Sequence, residues 1–218
     1  MWPDRILLDI ETQRDFFDPA GSLYAPGSAR AYRQIKRLFK WSKTNKVPVI
    51  STVLRVRRDQ IGLFGPLPHC VEGSDGEKKM PGTVLHRCIN LGLRNVTDLP
   101  LGLFEHYQQI IFEKRVTDIF HHLRIERLIT ELNGSVTFII CGAGTAHGLI
   151  EAAVGLRSRG FPVVLVWDAR AELDEPQVRM ALLRMEAKGV VFAPTDKIIA
   201  IPVPRRRSAA FRRIMGAR

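Results

Sequence analysis

The sequence predicts a three-layer, Rossmann-like α/β domain built on a six-stranded, mostly parallel sheet. Two observations carry that expectation. Short apolar runs rich in β-branched residues alternate with helical patterns along the chain. A long excursion full of glycine and proline interrupts the alternation between the second and third strands, where an open α/β sheet places the cover over its ligand-binding end.

Taken in order, Ile6 to Ile10 reads as the first buried strand. Ser28 opens a helix running to about Asn45, with Ile35, Leu38, Phe39 and Ser42 at i, i+3, i+4 and i+7. Val47 to Val53 is the second strand. Residues 55–103 hold Gly62, Gly65, Pro66, Pro68, Gly73, Gly76, Pro81 and Gly82, too many breakers for a regular element, and read as a lid. Gln109 to Phe112 and Val136 to Cys141 are the third and fourth strands. A helix from Ala146 to Arg159 stops at Gly160, and a strand follows at Val163 to Trp167. A helix from Glu175 to Lys188 stops at Gly189 and leads to a sixth strand at Val190 to Phe192.

The 218 residues suit one domain, here residues 1–203, with a separate basic tail at 204–218. Hydrophobic residues at 45% and charged residues at 25% are ordinary for a soluble globular chain. No apolar run approaches the ~20 residues that span a bilayer, and residues 1–5 do not read as a signal peptide, so a membrane is not expected. Cys70, Cys88 and Cys141 show neither disulfide nor metal spacing, which points to a reducing cytoplasm. The net charge is +11, and six arginines with no acid fall in residues 204–218, leaving +5 for the rest. The stretch Arg205 to Arg213 could meet nucleic acid, but a solvated basic end is the favoured reading.

Four segments carry a more specific signal. They are Glu11 to Phe17 followed by Gly21-Ser22-Leu23; His69 to Gly76; Lys114 to Phe120; and Cys141 to Gly148, continued by Glu151-Ala152-Ala153 and Gly160. In order and spacing these resemble the isochorismatase-like cysteine hydrolases, a superfamily that includes the nicotinamidases. Members show D-x-Q-x-D-F after strand one, H-C-V-x-G-T-x-G in the lid, K-x-x-x-D-x-F after strand three, and G-x-x-T-x-x-C opening the helix after strand four.

The resemblance implies strand order 3-2-1-4-5-6 and a pocket at the carboxyl ends of strands one and four. It also implies acyl transfer through a thiolate, with an aspartate as base, a lysine nearby, and an oxyanion hole at the cysteine turn beside a cis peptide. Carried over residue by residue, Lys114 matches the lysine and Glu11 falls where the aspartate belongs. Gly148, which has no side chain, stands at the nucleophile position. Ala143, Gly144 and Gly148 form the oxyanion turn. Asp9, Gln13, Phe16, His69 and His147 are pocket candidates, Asp9 being the alternative carboxylate, and Asp15 is expected to be structural.

Cys141 and Cys70 are weak substitutes for the nucleophile, because buried thiols are unreactive. His147 has no serine or cysteine beside it to activate. A metal is not expected: the nicotinamidase-type ligand positions after strand two are Leu54 and Val56, so only His69 remains. No cofactor is expected. Arg55, Arg57 and Arg58 suggest a small anionic ligand, or else a solvated charged turn. The expected function is a hydrolase-fold protein that has lost thiol-dependent hydrolysis and acts as a binding or assembly subunit, a homo-oligomer taking a small anionic or carbonyl ligand. Hydrolysis of a small amide or ester by altered chemistry through Glu11 and Lys114, or polyanion binding through the tail, are the alternatives.

Overall fold

The computed structural model describes residues 3–60, 67–132, 134–171 and 175–202. The tail expected at 204–218 lies outside the described residues.

The elements follow as β1 (Arg5–Ile10), α1 (Arg14–Phe17), α2 (Ser28–Asn45), β2 (Val49–Leu54), β3 (Cys88–Asn90), α3 (Leu103–His106), β4 (Gln109–Lys114), α4 (Leu123–Thr130), β5 (Thr137–Ala143), α5 (Ile150–Ser158), β6 (Val163–Ala171), α6 (Glu175–Ala187), β7 (Val191–Ala193) and α7 (Thr195–Ala200). The strands form one sheet in the order β3-β4-β2-β1-β5-β6-β7, every neighbouring pair parallel.

Burial on both faces explains why the central strands read as continuous apolar runs. Along β1, Ile6, Leu8 and Ile10 enter the core shared with α4, α5 and α6, while Leu7 enters the core shared with α2 and α7. In α2 the stripe Ala31, Ile35, Leu38 and Phe39 is buried, which is what its helical periodicity requires.

Two expectations change. The sheet has seven strands rather than six. Residues 88–90, inside the breaker-rich stretch, pair with β4 and satisfy backbone groups that its edge would otherwise leave open. The segment between β4 and β5, for which no helix is expected above, folds as α4 around buried Ile125, Leu128 and Ile129 at i, i+3 and i+4.

The loop after β1 ties down the lid. The Asp15 carboxylate accepts hydrogen bonds from the amides of Ser22 and Cys70, at 3.2 and 2.6 Å. Gly76 lies so close to that carboxylate that a Cβ there would collide with it.

Candidate functional site

The ends of β1, β4 and β5 converge on Glu11, Lys114 and Gly148. Glu11 leaves β1 in the left-handed region at φ 52°, an uncommon conformation for a side chain of this size. Its carboxylate forms a direct ion pair with Lys114, and both residues are buried, 2% and 3% exposed. The Lys114 ammonium is completed by the carbonyls of Val116 and Thr117, each at 2.9 Å. With three acceptors for three N–H groups, the cation is fully answered.

Gly148 packs directly against this pair. A Cβ built there would sit 3.1 Å from the Ile10 methyl, 3.2 Å from Glu11 Oε1 and 3.6 Å from the Thr117 carbonyl. The carboxylate reaches the space over Gly148 that an additional side chain would need.

Helical structure begins later than the periodicity suggests. Residues Thr145–Leu149 form one wide turn, with His147 at φ −129° and ψ −108°, and the regular helix starts at Ile150. Gly144, at φ 72°, makes this possible, and its carbonyl accepts from the amides of both His147 and Leu149, at 2.9 and 3.1 Å. Just before it, Gly142 approaches the Ile10 backbone so closely that any Cβ would overlap it. The turn uses only trans peptides, so the cis bond implied by the resemblance is absent here.

The remaining candidates divide. Gln13 is spent on structure: its amide donates to the carbonyls of Leu54 and Glu77 and accepts from the Leu54 amide, all at 2.8 Å. Phe16 packs on the His69 ring at 5.8 Å, and His69 Nδ1 lies 2.9 Å from the Leu67 carbonyl. His147 is partly exposed at the turn. Asp9 is not part of the Glu11–Lys114 pair. Asp9 Oδ2 instead receives Lys79 and the Ser51 hydroxyl, each at 2.7 Å. Arg55 is held by Glu77 at 3.1 Å, Glu113 at 3.0 Å and Glu72 at 3.9 Å, so it has no charge to spare for an anion, whereas Arg57 and Arg58 are exposed.

Two of the three thiols are buried where the thiolate is disfavoured. Burial pushes the Cys70 and Cys141 thiols well above the usual range, and the neighbouring carboxylates Glu11 and Asp9 respectively add to the effect. The residues do not fit a metal. Leu54 and Val56 are buried apolar side chains, and no group of three metal-binding residues occurs among the described residues.

Two residues near the site were given no role from the sequence. Lys79 sits in a charged lid stretch with nothing local to mark it. Glu151 follows Gly148 by three residues, so helical spacing could have flagged it as sharing a face. Burial pushes its carboxyl above the usual range, opposed by the Thr117 hydroxyl, raised further by Asp118, lowered by Lys114 and raised by Glu11. Its Oε2 is buried with no hydrogen-bond partner.

Residues 96–197 match the family model of the isochorismatase domain. No curated protein matches the chain. Among solved structures, the pyrazinamidase of Pyrococcus horikoshii in complex with zinc is 20% identical with a TM-score of 0.65, over 88% of this chain and 99% of that one. An isochorismatase-like hydrolase from Alkaliphilus metalliredigens is 16% identical with a TM-score of 0.64, over 89% and 96%. The MAR1 ribonuclease from Caenorhabditis elegans is 14% identical with a TM-score of 0.62, over 100% and 92%. At these identities the likeness establishes the fold.

Proposed function

We propose that this chain, which has the isochorismatase-like hydrolase fold and an isochorismatase domain match over residues 96–197, has given up thiol-dependent hydrolysis and works as a binding or assembly subunit. The observation that supports this reading is the contact of Glu11 with Gly148. A base one methylene longer than aspartate, fastened to Lys114, reaches the place where a nucleophilic side chain would stand. The exchange is reciprocal in volume: the carboxylate gains reach where position 148 loses its side chain. A glutamate held this way has no thiol proton to take.

The test is intact-mass analysis of the protein incubated with nicotinamide and with activated esters, alongside the Glu11→Asp/Gly148→Cys double variant. The natural chain should show neither turnover nor adduct. The double variant should acquire a thiol adduct that Gly148→Cys alone does not, since the glutamate crowds that single cysteine. An adduct on Cys70 or Cys141 of the natural chain would mean that the nucleophile has been misassigned.

A second reading has a specific support. The MAR1 ribonuclease shares the fold over the whole of this chain, and residues 204–218 carry six arginines. RNA carries its own nucleophile in the 2′-hydroxyl, so its cleavage needs proton transfer and phosphate binding but no enzyme thiol. Glu11, Lys114 and Glu151 would then be the proton-handling groups. Cleavage of single-stranded RNA by the full chain, weakened by deletion of residues 204–218 and by salt, would favour this reading over the first. Intact RNA at low salt would discard it.

A further inference from the structure

Beside Lys114 a cavity of about 390 Å³ opens between the strand-end residues Glu113 to Val116, the lid residues Leu93 and Asn95, and His121 and His122. The polar groups of this lining are almost all committed. Glu113 is held by Asn90 and Arg55, at 2.8 and 3.0 Å. The Lys114 ammonium has its three acceptors, and Arg115 donates to Glu72 and to the Arg55 carbonyl. Asn95 donates to the His121 carbonyl and accepts from the Leu123 amide.

His122 is the exception. It is 3% exposed, its ring stands edge-on to Phe112 at 5.3 Å, and neither ring nitrogen has a well-formed hydrogen bond, the Gly92 backbone and its own backbone being near enough to act on it. Leaving the nitrogens of a buried imidazole poorly answered is unfavourable. A molecule that fills the cavity and answers them recovers that cost.

We propose that this cavity is a binding site for a small uncharged hydroxylic molecule, held through its hydroxyl by His122. The surroundings set the class. Burial holds the imidazole below its ordinary pKa, opposed by the Gly92 backbone, helped by the Arg124 cation, opposed by its own backbone and helped by Lys114, so the ring is neutral at neutral pH. A neutral imidazole offers one donor and one acceptor, and a hydroxyl can meet either whichever tautomer is present. A cationic ligand would face Lys114 and Arg124. A carboxylate would find no free cation, because Arg124 is also engaged, by Asp98 at 2.7 Å and the Leu91 carbonyl at 2.8 Å. Leu93 and Val116 give the apolar walls that a small carbon skeleton needs. The site does not depend on the chemistry at Gly148.

Three probes sharing one ring separate the classes: benzyl alcohol, benzoate and benzylamine, each titrated into the full chain. Binding is read by ligand-detected NMR and by the His122 imidazole signals. Benzyl alcohol should bind saturably and shift those signals, and the other two should not. His122→Phe should weaken binding about tenfold, the worth of one good hydrogen bond. Because His122 also packs on Phe112, a second variant guards the result: Val116→Trp, at a 42% exposed wall residue, should fill the cavity and weaken binding at least as much. Absence of saturable benzyl alcohol binding would overturn the proposal. So would tighter binding of either charged probe, or binding indifferent to Val116→Trp.

Discussion

Two buried lysine–carboxylate pairs hang from the same strand, two residues apart, and they are built differently. Asp9 lies in regular β1 and is answered by Lys79 and Ser51, while Thr12 also receives Lys79 at 2.7 Å. Glu11 lies just beyond the strand in a left-handed conformation, answered by Lys114 and pressed against Gly148. The two carboxylates are alike in burial, at 0% and 2% exposed, so their burial does not separate them. The difference is strain and company: the first pair pins the lid to the sheet, and the second meets a glycine turn and a further half-buried carboxyl, Glu151. Strained backbone beside titratable groups is the signature expected of a working site rather than of a structural tie.

The largest effects should come from removing either cation. Lys79→Ala and Lys114→Ala each strand a buried carboxylate and should cost about 3–5 kcal/mol in urea unfolding at neutral pH. Lys79→Ala should be the costlier, because Asp9 Oδ1 already lacks a partner. A loss below about 1 kcal/mol at Lys79 would show that the Asp9 pair does not hold the lid to the sheet and undo the parallel between the pairs.

A smaller effect tests the contact that distinguishes the second pair. Gly148→Ala should cost roughly 1–3 kcal/mol by overpacking against Glu11 and Ile10. Shortening the neighbour with Glu11→Asp should recover part of that cost, giving a favourable coupling of about 1 kcal/mol in a double-mutant cycle. Strict additivity would show that Glu11 does not occupy the space over Gly148.

The smallest effect concerns Glu151. Its folded-state pKa is raised above the ordinary value of 4.5, so the folded state holds the proton more tightly than the unfolded chain. That contribution is present below 4.5 and is lost as pH rises through the folded value. Glu151→Gln should therefore match the natural chain in acid and become relatively more stable as pH rises from there. Thermal unfolding at pH 4 and pH 8 checks the sign. A difference that shrinks with pH would mean that the fold lowers the Glu151 pKa instead of raising it.

Local chemistry in the chain was enough for much of this. The alternation of apolar runs and helical stripes placed six strands and the helix at 28–45, because a strand buried on both faces and an amphipathic helix each leave a pattern within a few residues. The motifs around Gln13, Lys114 and Gly142 pointed to the isochorismatase-like fold, and the residues of the Glu11–Lys114 pair could be named before any coordinates. Tertiary structure alone decided the rest. Lys79 meets Asp9 across 70 residues and Lys114 meets Glu11 across 103, and such pairings depend on sheet register and lid path, which no local window contains. The seventh strand exists because the edge of β4 offers three residues something to pair with. The emptiness implied by a glycine at 148 is not empty, because one positive φ at Glu11 turns a carboxylate over it.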